Sequence, residues 1–164
     1  ALRSGRLAAA VLDVWENEPE ISKEALSLCA IGTPHIAGYS FDGKVNGTMM
    51  IYEAACAFLG VKPTWRPQNC LPPSPKPHIA APAGVESRQE MLRLIVRQAY
   101  DIEADDAALR EVLRMDDAAV GPYFDGLRRD YPVRREFHNS AVRGVKAGSP
   151  EAAALEGLGF RLDG

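Results

Sequence analysis

Three side chains near the start of the chain carry the chemistry: Asp13 in AVLDVW, Glu18 in ENEPEI and His35 in TPHIAGYS. A carboxylate within reach of an imidazole orients the ring and favours its protonated form, and a histidine so held moves a proton near neutral pH. That pairing suits oxidation at a carbinol, where a hydride leaves carbon for a redox cofactor while a base takes the hydroxyl proton. A single histidine after a strand is ordinarily a loop residue. The catalytic reading therefore depends on whether the fold brings the acids to it.

The elements around these residues supply that placement. ALRSGRLAAAVLDVW reads as the last turn of a helix, a stop at Gly5 and a buried strand over residues 8–14. ENEPEI is a loop, SKEALSL is a short helix capped by Ser22, and residues 29–32 form a second apolar strand. Strand, helix, strand implies a crossover between parallel strands, and ligands of parallel sheets bind beyond the carboxyl ends of the strands. Asp13, Glu18 and His35 all fall at or just after those ends. Residues 40–59 have helical spacing, with Val45, Met49, Tyr52, Ala55 and Phe58 or Leu59 along one face.

Composition narrows the field of partners. The chain has 164 residues, 46% of them hydrophobic, and a net charge of -3. With a pI near 5.6 it offers no footprint for nucleic acid or an anionic membrane surface. No apolar run reaches spanning length and no signal peptide opens the chain, so a cytoplasmic protein is expected. Cys29, Cys56 and Cys70 form no CxxC pair and read as reduced thiols; no metal site is expected.

Seven prolines lie between Lys62 and Pro82, too many for a helix or central strand. This divides the chain into residues 1–60, a connector over 61–83 and an α+β module over 84–164. HIAAPAG, at the end of the connector, is expected to start with a strand, and within the module EFHNSAVRGVKA and FRL read as strands. ESRQEMLRLIVRQAYDI, AALREVLRM, PYFDGLRRDYP and SPEAAALEGLG read as helices, with Asp105 or Asp106 and Ser149 as caps. His78 and His138 read as structural. Arg134 and Arg135 are either salt-bridged or available to a phosphate.

LDVWENEP, with TPHIAGYS placing His35 seventeen residues after Glu18, resembles the paired signature of the NAD-dependent D-isomer-specific 2-hydroxyacid dehydrogenases. The resemblance implies that the early residues are the C-terminal part of a Rossmann-type NAD-binding parallel sheet. It implies that Glu18 supports His35 as proton donor or acceptor, and that Asp13 and the backbone near Gly38 contact the nicotinamide half of NAD. It also implies a catalytic arginine, a lid and a glycine-rich phosphate-binding loop upstream of Ala1. On that reading the chain is a C-terminal fragment without turnover of its own.

The tail, through YDIEADDAALREVL, FDGLRRDYPVRREF and LGF, is similar to the C-terminal dimerisation domain of one branch of this family. That branch acts on a small phosphorylated 2-hydroxy acid. The similarity implies a homodimer and a substrate contact for Tyr39. Two alternatives stay open: a tail that senses a ligand on an enzyme for another acid, and a non-catalytic NAD-sensing relative.

Overall fold

A computed structural model describes residues 1–67 and 71–163, so the expectation for Cys70 lies outside the described residues. The fold is α/β, and every strand pairing among the described residues is parallel. The chain forms two compact units, and each is made of two separated stretches.

The first unit comprises residues 1–37 and 101–132. Strand β1 (Val11–Leu12) pairs with β2 (Ile31–Gly32) in the register Val11↔Ile31 and Leu12↔Gly32. Helix α1 (Lys23–Leu28) connects them, its first turn capped where the Ala25 amide donates to the Ser22 hydroxyl at 3.2 Å. Gly5 has φ 69°, the left-handed geometry that ends a helical turn. The strands are shorter than the apolar runs that announced them, because a strand extends only as far as its partner supplies ladder bonds.

The second stretch of this unit holds two longer helices, α4 (Ile102–Arg110) and α5 (Asp117–Arg129), joined by a 3₁₀ turn at Glu111–Arg114. Trp15, Ile21, Leu26 and Cys29 form one core with Leu109, Val112, Val120 and Phe124. Each unit thus draws on both sides of the proline-rich stretch, because α4 and α5 bury their apolar faces against α1 and β2. Asp106 caps no helix. It lies inside α4, where its carboxylate accepts the Gly32 amide at 2.7 Å and pairs with Arg110 one turn on at 2.8 Å.

The second unit comprises residues 38–100 and 133–164. It opens with α2 (Phe41–Leu59), capped by the Ser40 hydroxyl and ended by Gly60 at φ 67°. Strands β3 (His78–Ala80), β4 (Ala141–Arg143) and β5 (Arg161–Asp163) form a parallel sheet in that order. Helices α3 (Arg88–Ala99) and α6 (Pro150–Gly157) accompany the sheet. Ile79, Ile95, Val142, Leu155 and Phe160 form its core, and Phe137 stacks on Phe160 at 4.4 Å. Strand β3 starts inside the expected connector, whose earlier residues fold back on α2. There the Tyr52 hydroxyl accepts the amides of Thr64 and Trp65 at 2.9 and 3.1 Å.

The inward face of α2 differs from expectation at its end. Val45, Met49 and Tyr52 are half-buried and Cys56 is buried, whereas Ala55 and Leu59 are exposed and Phe58 is 90% exposed. Phe58 lies two residues past Cys56, about 200° round the helix, and so turns outward. Cys29 and Cys56 are free thiols.

Candidate active site

Both strands of the first unit stop where the candidate residues begin. Leu12 ends β1 one residue before Asp13, and Gly32 ends β2 one residue before Thr33. Parallel pairing brings these ends level, so the loops that follow leave from the same edge.

The loop after β1 is tied down at its root. Trp15 donates its indole Nε1–H to the Thr33 carbonyl at 2.9 Å, and its backbone amide to Glu18 Oε1 at 2.8 Å. The tryptophan is buried, so both donors need these partners. With one oxygen fixed, Glu18 presents the other, Oε2, to His35 Nδ1 at 2.7 Å. Glu18 is 18% exposed and His35 44% exposed, so the acid lies beneath the ring while part of the ring meets solvent. A carboxylate accepts, which assigns the Nδ1 proton to the ring and leaves Nε2 to exchange a proton with a ligand.

His35 adopts φ 54°, a left-handed conformation unusual for a residue with a side chain. Asp13 sustains it. Its Oδ1 accepts the Thr33 hydroxyl at 2.6 Å and the Ile36 amide at 2.8 Å, while Oδ2 accepts the Ala37 amide at 3.1 Å. Burial alone would raise the pKa of Asp13. The Thr33 hydroxyl, the two amides and the charge of His35 outweigh it and hold the carboxyl below the usual carboxylate range. The aspartate clamps the turn on which the histidine sits.

The structure thus brings Asp13, Glu18 and His35 together in one unit. Gly38 and Tyr39 follow directly in the chain but belong to the second unit. A Cβ built on Gly38 would meet nothing within 4 Å. Tyr39 is half-buried and carries the Lys44 ammonium 4.0 Å from its ring centre. Among the described residues, no group of three or more His, Cys, Asp or Glu could hold a metal ion. No helix there is long and apolar enough to cross a membrane.

Sequence reasoning missed three supporting interactions. The Thr33 hydroxyl bond and the Trp15 indole bond carried no motif. Asp106 and Arg110 were visible as a pair one helical turn apart, but not their targets: Arg110 donates to the carbonyls of Leu26, Cys29 and Ala30, at 3.3, 3.0 and 3.3 Å. Of the two arginines considered for phosphate, Arg135 is 7% exposed and grips the 5%-exposed Asp42 with two bonds, at 2.9 and 3.0 Å. It also donates to Asn139 and to the Pro72 carbonyl, so it fastens the start of α2 within its unit. Arg134 lies over the Tyr100 ring at 4.7 Å. His78 and His138 lie beside acids, 3.5 Å from Asp163 and 3.8 Å from Asp42.

Residues 70–159 match the family described as "Domain of unknown function (DUF3410)". The chain belongs to the DUF3410 family. This DUF3410 chain is 47% identical over 156 residues to erythronate-4-phosphate dehydrogenase of Cellvibrio japonicus, covering 92% of the chain and 40% of that relative. It is 44% identical over 154 residues to the protein of that name from Stutzerimonas stutzeri, covering 93% of the chain and 40% of the relative. For the Salinibacter ruber protein of that name, identity is 42% over 166 residues, covering 99% and 42%. The DUF3410 chain spans about two fifths of the length of these curated relatives.

Proposed function

We propose that this chain is the C-terminal part of an NAD-dependent dehydrogenase that oxidises 4-phospho-D-erythronate at its C2 carbinol to the 2-oxo acid, 3-hydroxy-2-oxo-4-phosphooxybutanoate, in pyridoxal phosphate synthesis. The observation that carries the reading is the 2.7 Å bond between Glu18 and His35 at the ends of paired parallel strands. The shared name of the relatives supports the substrate.

His35 takes the hydroxyl proton at Nε2 as the C2–H bond breaks and the C=O bond forms. NAD, when bound, would supply the acceptor for the hydride lost from C2. Glu18 fixes the tautomer and stabilises the imidazolium that results. Asp13 suits the carboxamide of NAD, because its Oδ2 accepts a single amide and retains capacity for another donor. Gly38 is the other candidate NAD contact. Tyr39, next in the chain, is the candidate substrate contact.

The same reading gives residues 84–164 a role in pairing two copies, with 61–83 as connector. In the second unit β3 and β5 are the edges of a three-stranded sheet, and a twofold partner is a common way to cover such edges. A cytoplasmic location accords with a reaction that uses NAD and a phosphorylated metabolite.

The test is NADH formation by the full-length protein given 4-phospho-D-erythronate and NAD. Activity that His35→Ala abolishes is expected. Absence of NAD reduction with this acid would overturn the reading.

A further inference from the structure

We infer that Thr33 is a positioning residue for proton transfer at His35, an inference that rests on the dehydrogenase reaction proposed above. Every residue involved lies in the first unit. The serine hydroxyls of that unit serve their own local turns: Ser4 donates to the Ala1 carbonyl, Ser27 to the Glu24 carbonyl, and Ser22 caps α1. The Thr33 hydroxyl instead crosses to the end of the other strand and donates to Asp13 Oδ1 at 2.6 Å.

Each polar group of Thr33 is committed to the frame of the site. Its amide donates to the Leu12 carbonyl at 2.9 Å, bonding the carboxyl ends of β1 and β2 together. Its carbonyl accepts the Trp15 indole at 2.9 Å and the His35 amide at 3.0 Å. The second of these closes a three-residue turn about Pro34, a buried residue whose ring holds φ at about −65°. From that turn the chain passes directly into His35 at φ 54°.

The hydroxyl gives Asp13 a fixed point. Among the described residues, the other donors to Asp13 are the Ile36 and Ala37 amides, which belong to the segment that the acid holds in place. Without the Thr33 bond the carboxylate is tied to the piece it has to restrain, with one amide on each oxygen. Thr33 is 5% exposed, so its hydroxyl meets little water, and the β-branch restricts χ1 and keeps the oxygen aimed. His35 has to present Nδ1 to Glu18 and Nε2 to the reacting hydroxyl at once. A misplacement of about 1 Å in such a group costs on the order of 100-fold in rate.

The experiment uses the full-length enzyme with Thr33→Val, Thr33→Ala and Thr33→Ser, assayed with 4-phospho-D-erythronate and NAD at a temperature where circular dichroism shows each variant folded. Valine keeps the shape without the donor, and alanine removes the hydroxyl without setting a methyl against the carboxylate, so either serves if the other does not fold. Both should lower kcat about 10- to 100-fold, the loss expected when one hydrogen bond to a charged group no longer sets the geometry. KM for the acid should move by less than about threefold. Thr33→Ser restores the donor and should recover most of kcat. NAD affinity, titrated without the acid by quenching of protein fluorescence, should stay within about threefold of wild type, because Oδ2 of Asp13 keeps its Ala37 amide. A kcat within about threefold of wild type in the hydroxyl-free variants, or a loss in Thr33→Ser as large as theirs, would overturn the inference. So would weakened NAD binding with kcat intact. Wild-type enzyme that forms no NADH from this acid would instead overturn the reading beneath it, so the two failures are told apart by which protein shows them.

Discussion

Glu18 uses one carboxylate oxygen to hold the Trp15 amide at 2.8 Å and the other to hold His35 Nδ1 at 2.7 Å. The acid is thereby braced against its own loop before it braces the ring. In the full-length enzyme, His35→Ala should lower turnover by about 100- to 10,000-fold with NAD affinity nearly intact. Glu18→Gln keeps the shape but removes the charge, and should shift the pH profile of turnover. Steady-state rates across pH, with NAD titrations alongside, measure both. Unchanged profiles in both variants would refute the assignment.

Asp13 predicts a loss of stability as well as of function. Asp13→Ala leaves the Thr33 hydroxyl and the Ile36 and Ala37 amides without their acceptor, and should cost about 1–3 kcal/mol. Urea denaturation of the 164-residue chain reports it.

The Asp42–Arg135 pair predicts acid sensitivity. Burial would raise the Asp42 pKa, but its bonds to Arg135, Glu136 and Asn139 win and lower it from 3.8 to about 2. A depressed folded-state value stabilises the fold above the unfolded value, so this contribution, on the order of 2 kcal/mol, is complete above pH 4. It is lost as pH falls toward 2. Asp42→Asn should flatten the acid limb of the stability profile over that window. Arg135→Met, which leaves the buried carboxylate without its cation, should cost about 3–5 kcal/mol near neutrality.

Gly32 predicts an overpacked core. A Cβ there would stand 2.8 Å from Leu26 Cδ1 and 2.9 Å from Trp15 Cζ2. Gly32→Ala should therefore destabilise by about 1–3 kcal/mol, read as a lower denaturation midpoint at unchanged slope.

Self-association is checked by light scattering of the chain over the micromolar range. The expected mass is twice 17.8 kDa. A monomer at every concentration would remove residues 84–164 from the proposed dimer contact.

Local signals carried much of the fold. Ser22, Ser40, Ser87 and Ser149 each accept an amide from the first turn of a helix, and such caps are written within three residues. The Glu18–His35 pair was legible because two consecutive parallel strands impose its geometry. Strand lengths were not legible, because they depend on a distant partner's register: EFHNSAVRGVKA suggested a long strand and contributes Ala141–Arg143. Long-range clasps were hidden for the same reason. Asp106 meets Gly32 across 74 residues and Arg135 meets Asp42 across 93, and no local pattern announces either. The helix expected to begin at Asp105 or Asp106 starts at Ile102 because those acids serve other partners.

The interleaving of the two units bears on how the chain reaches this state. Residues 1–37 leave the ribosome well before 101–132, and 38–100 well before 133–164, so each unit waits for its second stretch while the other is also incomplete. Contacts of such high sequence separation slow folding and lengthen the exposure of apolar surface. No single break in the backbone between residues 38 and 132 releases an intact unit. A gene divided at the proline-rich stretch should therefore yield two pieces that are unfolded apart and regain structure only when mixed, a dependence on encounter that two tandem domains would not show.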